Sequence, residues 1–148
     1  MNAPVALLLV LLWPLLLATA LTHAKTRPMA MYFAPWSAIP ALILGLAFDD
    51  STLHVPGTML GAVLQFDAGG RVFLLLTATL SLAAGLLARE RIERWGSANR
   101  FTLFLLLATT GALALALAGD ALMFFTASTL LGYALYGMML TETTAAEA

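Results

Sequence analysis

Apolar residues fill five long stretches of this chain, and its charged residues fall between those stretches or at their ends. A bilayer core about 30 Å thick needs roughly 20 apolar residues in helical form, because every backbone N–H and C=O inside it must be satisfied within the segment. The predicted spans are Ala3 to Leu21, Tyr32 to Phe48, Val72 to Ala88, Phe101 to Ala118 and Ala121 to Leu140. Only Gly119 and Asp120 separate the last two, which predicts a tight helical hairpin turned by a glycine and an acidic cap. Span two is the weakest helix on propensity: Pro35 is expected in its first turn, where proline is tolerated, and Pro40 is expected to kink it.

The longest connection, Asp49 to Arg71, contains Leu53-His54-Val55-Pro56-Gly57-Thr58-Met59-Leu60, a Pro-Gly turn signal between short apolar runs. It is expected to form a small extended hairpin or a surface-lying loop. No internal repeat, linker or low-complexity segment is visible. Residues 1–148 therefore read as one domain, an all-α integral membrane bundle of about five transmembrane helices with that hairpin or loop between spans two and three.

Composition sharpens the picture. Of 148 residues, 61% are hydrophobic and only 10% charged, and mean hydropathy is +0.94. Soluble domains carry about a quarter charged residues, so lipid must be the main solvent. Seven basic against eight acidic residues leave a formal charge of -1, which argues against a polybasic nucleic-acid surface. With no cysteine, the chain has neither disulfide nor thiolate. His23 and His54 lie in loops on opposite sides of the membrane and cannot share a metal, so no metal or cofactor is expected.

Orientation follows from where the cations fall. Lys25 and Arg27 follow span one, and Arg89, Arg91, Arg94 and Arg100 surround the connection from span three to span four. By the positive-inside rule both connections are cytoplasmic, which puts the amino terminus outside and the residues from Thr141 onward inside. Tyr32, Trp36 and Trp95 are then expected at the cytoplasmic interface. Ala18-Thr19-Ala20 resembles a signal-peptide cleavage site, but span one lacks the preceding positive residues of a leader.

Helices in lipid associate through small residues and interhelical hydrogen bonds. Thr77, Ser81 and Gly85 recur four apart, as do Ala108, Ala112 and Ala116, while Ser128 and Gly132 are a single pair. These are expected to be packing seams, with Leu7 on a lipid-facing surface. Thr126, Thr129, Tyr133 and Tyr136 form an adjacent stripe, either packed with hydroxyls bonded to the preceding turn or lining a hydrated proton path. Asp67 and Asp120 are expected to satisfy helix N-termini, with Arg71 near enough to pair with Asp67. The middle of every span lacks ionisable residues, the usual mark of pumps and transporters. No catalytic group is expected on this chain.

Leu60-Gly61, Phe66-Asp67, the run Arg71-Val72-Phe73-Leu74-Leu75-Leu76-Thr77, Arg100-Phe101 and Asp120-Ala121-Leu122-Met123-Phe124-Phe125 carry a resemblance. Over residues 60–140 the chain resembles the amino-terminal part of the antiporter-like membrane subunits of respiratory complex I, membrane-bound hydrogenases and Mrp-type sodium/proton antiporters. The resemblance implies an external amino terminus, an outer hairpin, a bacterial-type inner membrane, and partner membrane subunits that include a longer antiporter-like chain. It also exposes two departures. The family's proton-transferring glutamate falls, nine residues after the Asn/Asp, at Thr129. The family's later lysine-bearing helix has no counterpart here, so the chain resembles a truncated or split member. The implied role is a small, non-catalytic subunit of a proton- or sodium-translocating complex, complementing a larger subunit. A free-standing membrane assembly or interaction protein is the alternative.

Overall fold

The computed structural model describes residues 3–47, 53–58, 62–92 and 98–146. Their element order is α1 (Ala3–Thr22), α2 (Arg27–Phe33), a 3-10 turn (Ala34–Trp36), α3 (Ile39–Ala47), β1 (Leu53–Thr58), β2 (Ala62–Phe66), α4 (Ala68–Ile92), α5 (Ala98–Ala116) and α6 (Ala121–Ala146). Five helical segments are long and apolar enough to cross a membrane: Val5–Thr22, Arg27–Ala47, Ala68–Arg89, Ala98–Ala116 and Ala121–Thr141. By helix length and hydropathy this is a multi-pass membrane protein.

Span two departs from the expected kinked helix. Helix begins earlier, at Arg27, because Pro28 occupies its first turn, where no N–H is needed. The break falls at Ala34–Ala38, with Pro35 inside the 3-10 turn and Pro40 in the first turn of α3. Pro40 has no N–H for the carbonyl four residues back and its ring crowds that carbonyl. The chain therefore restarts a helix at Ile39 rather than bending one through.

The connection between spans two and three contains an antiparallel hairpin, with Leu53 opposite Phe66, Val55 opposite Leu64 and Thr58 opposite Ala62. Pro56-Gly57 does not make its turn, contrary to the sequence expectation; both residues lie inside β1, where the register shifts between Val55 and Thr58. Proline cannot donate to a ladder, so it is accommodated in this irregular stretch of a two-stranded sheet.

α5 is the hub. Half of its span is buried, against 17% for α6, and it packs on α1, α4 and α6. One core cluster gathers Leu7 and Val10 of α1, Leu44 of α3, Leu74 of α4 and Leu113 of α5 beneath Leu64 and Phe66 of β2. A second, nearer the opposite end, joins Leu17 and Leu21 to Ala30, Ala34 and Leu106. Leu7 is thus 1% exposed and not on the lipid-facing surface the sequence suggested. Span one is apolar on all sides, so hydrophobicity alone does not mark its inner face.

β2 also fixes where α5 stops. Gln65 N–H donates to the Leu117 carbonyl at 3.0 Å, and Leu64 pairs with Ala118 in an isolated bridge. Residues 117 and 118, expected to be helical, instead serve the sheet, and α5 ends at Ala116. The hairpin is thereby stitched over one end of the bundle, beside the α5–α6 turn.

Candidate functional site

The polar residues at the hairpin end are held by helix ends. Asp67 precedes α4; its Oδ1 accepts from Gly70 N–H at 2.6 Å and its Oδ2 from Gln65 Nε2 at 3.2 Å. Arg71, one turn into α4, donates from Nε to the Gly45 carbonyl at 2.8 Å. That carbonyl belongs to the last turn of α3, where helix carbonyls lack partners of their own. A contact spanning 26 residues thus ties α3 to α4, one that the four-residue spacing of Asp67 and Arg71 gave no reason to expect. Asp120 Oδ1 accepts from Met123 N–H at 2.7 Å, and its carbonyl accepts from Phe124 N–H at 3.0 Å. Replacing a capping carboxylate with alanine costs about 1 kcal/mol, within a range of roughly 0.5–2. Asp120→Ala is therefore expected to lower the unfolding temperature in detergent and speed proteolysis at the α5–α6 turn; an unchanged melting curve would remove the cap from the stability account.

A cleft of about 500 Å3 opens beside these caps, with Gln65, Asp67, Phe73, Thr77, Ala116 and Phe124 among its walls. Among the described residues no group of His, Asp or Glu is arranged to hold a metal ion. His23 follows α1 and His54 lies in β1, so the topology separates them to opposite ends of the bundle.

The small residues fall into three different situations. Gly85 is buried, and a Cβ built on it would lie 3.0 Å from Pro35 Cα and 3.1 Å from the Pro35 carbonyl oxygen. The 3-10 turn of span two therefore rests directly on α4. Thr77 and Ser81 are only half-buried, as are Ala112 and Ala116, while Ala108 is buried. Gly132, by contrast, meets nothing within 4 Å. The expected seam through Ser128 and Gly132 is not the one α6 uses within this chain. α6 meets α5 through Gly111, whose Cβ would fall 2.9 Å from Leu131 N, and through Gly137, which lies against the ring of Phe104. Neither glycine belongs to a four-residue repeat, so periodicity misses both. Their signal was cost: glycine inside a helix is about 1 kcal/mol worse than alanine and is retained where close approach requires it.

The hydroxyl stripe lies on the outside of the bundle. Thr126 donates to the Leu122 carbonyl at 2.8 Å, and Thr129 to the Phe125 carbonyl at 2.8 Å. Ser128 reaches the same Phe125 carbonyl at 3.0 Å. Buried Thr102, Thr109 and Thr110 on α5 bond the preceding turn in the same way. Tyr133 and Tyr136 are 63% and 61% exposed. Tyr133 meets Phe104 edge-on, with centroids 6.2 Å apart, and neither phenol has a hydrogen-bond partner among the described residues. A hydrated path along this stripe would need its second wall from another chain.

Comparison with protein-family models, curated proteins and solved structures finds no match. The resemblance to antiporter-like subunits therefore rests on the residues quoted above, and the function on the surfaces this bundle presents.

Proposed function

We propose that this chain is a small integral subunit of an ion-translocating membrane complex of the antiporter-like superfamily, docked on a larger membrane chain through the outer face of α6. The observation that carries the reading is the pairing, on that face, of an exposed glycine with two phenols that have no hydrogen-bond partner among the described residues. At 1.5 Å per residue, Tyr133 lies about 18 Å from the start of α6 and Tyr136 about 22 Å, both within a hydrocarbon layer about 30 Å thick. A hydroxyl without a partner there costs roughly 2–7 kcal/mol. Lipid tails offer it nothing, whereas a neighbouring helix offers carbonyls and polar side chains. Gly132, with Ser128 four residues before it, leaves the flat surface on which helix backbones approach closely.

In this reading the basic end of the bundle faces the cytoplasm. The chain fills space and lends hydroxyls to the interface, while its partners carry the titrating groups. Thr129, at the position of the family's glutamate, offers no exchangeable net charge at physiological pH.

Gly132→Leu tests the reading, because the side chain meets open space in this chain and steric blockage only in a complex. The variant is expected to keep the wild-type unfolding temperature when purified alone, yet to lose the larger species on native gels of membranes and the longer antiporter-like chain in its pulldown. A wild-type chain that migrates as a monomer in native membranes, or a variant that still retains the same partner, would overturn the docked subunit and favour the free-standing interaction protein.

A further inference from the structure

Oxygen atoms from three parts of the chain converge on the bare face of Gly70. Apart from the helix backbone around it, the three heavy atoms nearest to where its Cβ would stand are Asp67 Oδ1 at 3.1 Å, the Ala116 carbonyl oxygen at 3.5 Å and the Gln65 carbonyl oxygen at 3.6 Å. They belong to the residue before α4, the end of α5 and β2. Each has capacity to accept. Asp67 takes the Gly70 N–H and Gln65 Nε2, and a carboxylate offers about four lone-pair sites. Gln65 N–H donates to the Leu117 carbonyl, away from β1, and a strand residue turns its carbonyl to the same side as its N–H. At the end of α5 the Leu113 and Leu115 carbonyls accept from Leu117 and Ala118, whereas the Ala116 carbonyl is turned toward Gly70. The cleft of about 500 Å3 opens on this spot. We propose that it is a binding site for a primary ammonium carried on an apolar stem, with the three N–H donors on these three oxygens and the stem between Phe73 and Phe124.

Charge and shape both favour that class of ligand. The positive end of the α4 dipole and the negative end of the α5 dipole, roughly half a unit each, offset one another. The Asp67 carboxylate therefore sets the sign of the site. Phe73 and Phe124 are 64% and 56% exposed, and Ala112 and Leu115 of α5 also line the cleft. Along α4, Phe73 lies about 9 Å and Thr77 about 15 Å from Asp67, so the oxygens stand at the mouth and the apolar walls run toward the middle of the span. An inorganic cation would gain the same oxygens but nothing from the walls. A quaternary ammonium would keep the charge and bring no N–H. A phosphoethanolamine headgroup would bring the N–H donors but set its phosphate diester against the aromatic walls.

The site lies within one chain, so it does not depend on the interface proposed for α6. It does depend on glycine at position 70, because a side chain there would stand where the ammonium approaches.

The experiment is a calorimetric titration of the full chain in maltoside micelles with hexylammonium, hexyltrimethylammonium or hexanol, with empty micelles as the blank. One hexylammonium is expected to bind, and the other two at least about tenfold more weakly, as for the loss of one charge-assisted hydrogen bond. Asp67→Asn leaves an oxygen to cap Gly70 N–H but removes the charge, and is expected to weaken hexylammonium binding about tenfold or more. Gly70→Ala keeps the carboxylate, suits a helix better than glycine and puts a methyl group in the seat; it is expected to abolish binding, and gives an independent reading if Asp67→Asn disturbs the cap. Asp120→Asn removes a charge from the same end, outside the cleft lining, and is expected to have less than about a twofold effect, since exposed charges are screened. Phosphatidylethanolamine added to the micelles is expected to leave hexylammonium bound. Equal losses for the two aspartate variants would reduce the site to diffuse attraction. Equal binding of hexyltrimethylammonium or hexanol, full binding in Gly70→Ala, or displacement by phosphatidylethanolamine would each overturn the proposal.

Discussion

Gly111→Leu is expected to separate α5 from α6 and leave a chain that aggregates in detergent or is degraded in the membrane. Gly111 is buried, and a Cβ there would lie 2.9 Å from Leu131 N and 3.1 Å from Leu131 Cα. Those are backbone atoms, so no rotamer change relieves the clash; α6 itself must move away. Overpacking of this kind costs about 1–3 kcal/mol when side chains can yield, and more when they cannot. Moving α6 would also strip the contacts of Ala127 and Ala134, which are 2% and 0% exposed. Gly137→Leu is expected to be milder, because its obstacle is the Phe104 ring and a ring can swing. Unfolding temperatures should therefore fall in the order Gly132→Leu, Gly137→Leu, Gly111→Leu, from highest to lowest. A Gly111→Leu protein that melts with the wild type would show that α5 and α6 do not pack as described.

Phe66→Ala is expected to undock the hairpin. Phe66 is 0% exposed and Leu64 2%, and both sit in the core cluster that joins α1, α3, α4 and α5. Truncating a buried phenylalanine costs about 3–5 kcal/mol, from lost transfer energy and the cavity left behind. The next residue is Asp67, which caps α4 through Gly70, and the preceding one, Gln65, holds the Leu117 carbonyl. Loss of the anchor thus releases a cap and a strand pairing together. Amide exchange should accelerate across residues 62–70 and at the start of α6, while the far end of the bundle, built on Leu17, Leu21 and Leu106, keeps its protection. Uniform acceleration over all helices, or none, would contradict an independently docked hairpin.

Several features of this fold were legible because they are local or imposed by the solvent. A bilayer tolerates only segments that satisfy their own backbone, so length and apolarity alone define the five spans. The strands between spans two and three were legible as short apolar runs. The placement of Asp67 and Asp120 at helix starts needs no more than a carboxylate three residues before the amide that it meets. The Pro-Gly pair misled because a turn signal does not say whether the chain has a neighbour. β1 has one in β2, and it passes through Pro56 and Gly57 with a register shift instead.

The number of segments long and apolar enough to cross a membrane, the placing of charges between those segments, and the interruption of span two by proline all follow from residue order alone. Which faces meet is set by packing between helices: Leu7 is buried, Gly111 and Gly137 rather than Gly132 carry α6, Arg71 reaches Gly45, and the break in span two settles on Gly85. In water an amphipathic stripe would have announced those faces. In lipid a residue facing the tails and one facing a neighbouring helix are equally apolar, so the choice rests on shape, on how closely two backbones can approach, and shape is a property of pairs of helices that neither sequence segment carries alone.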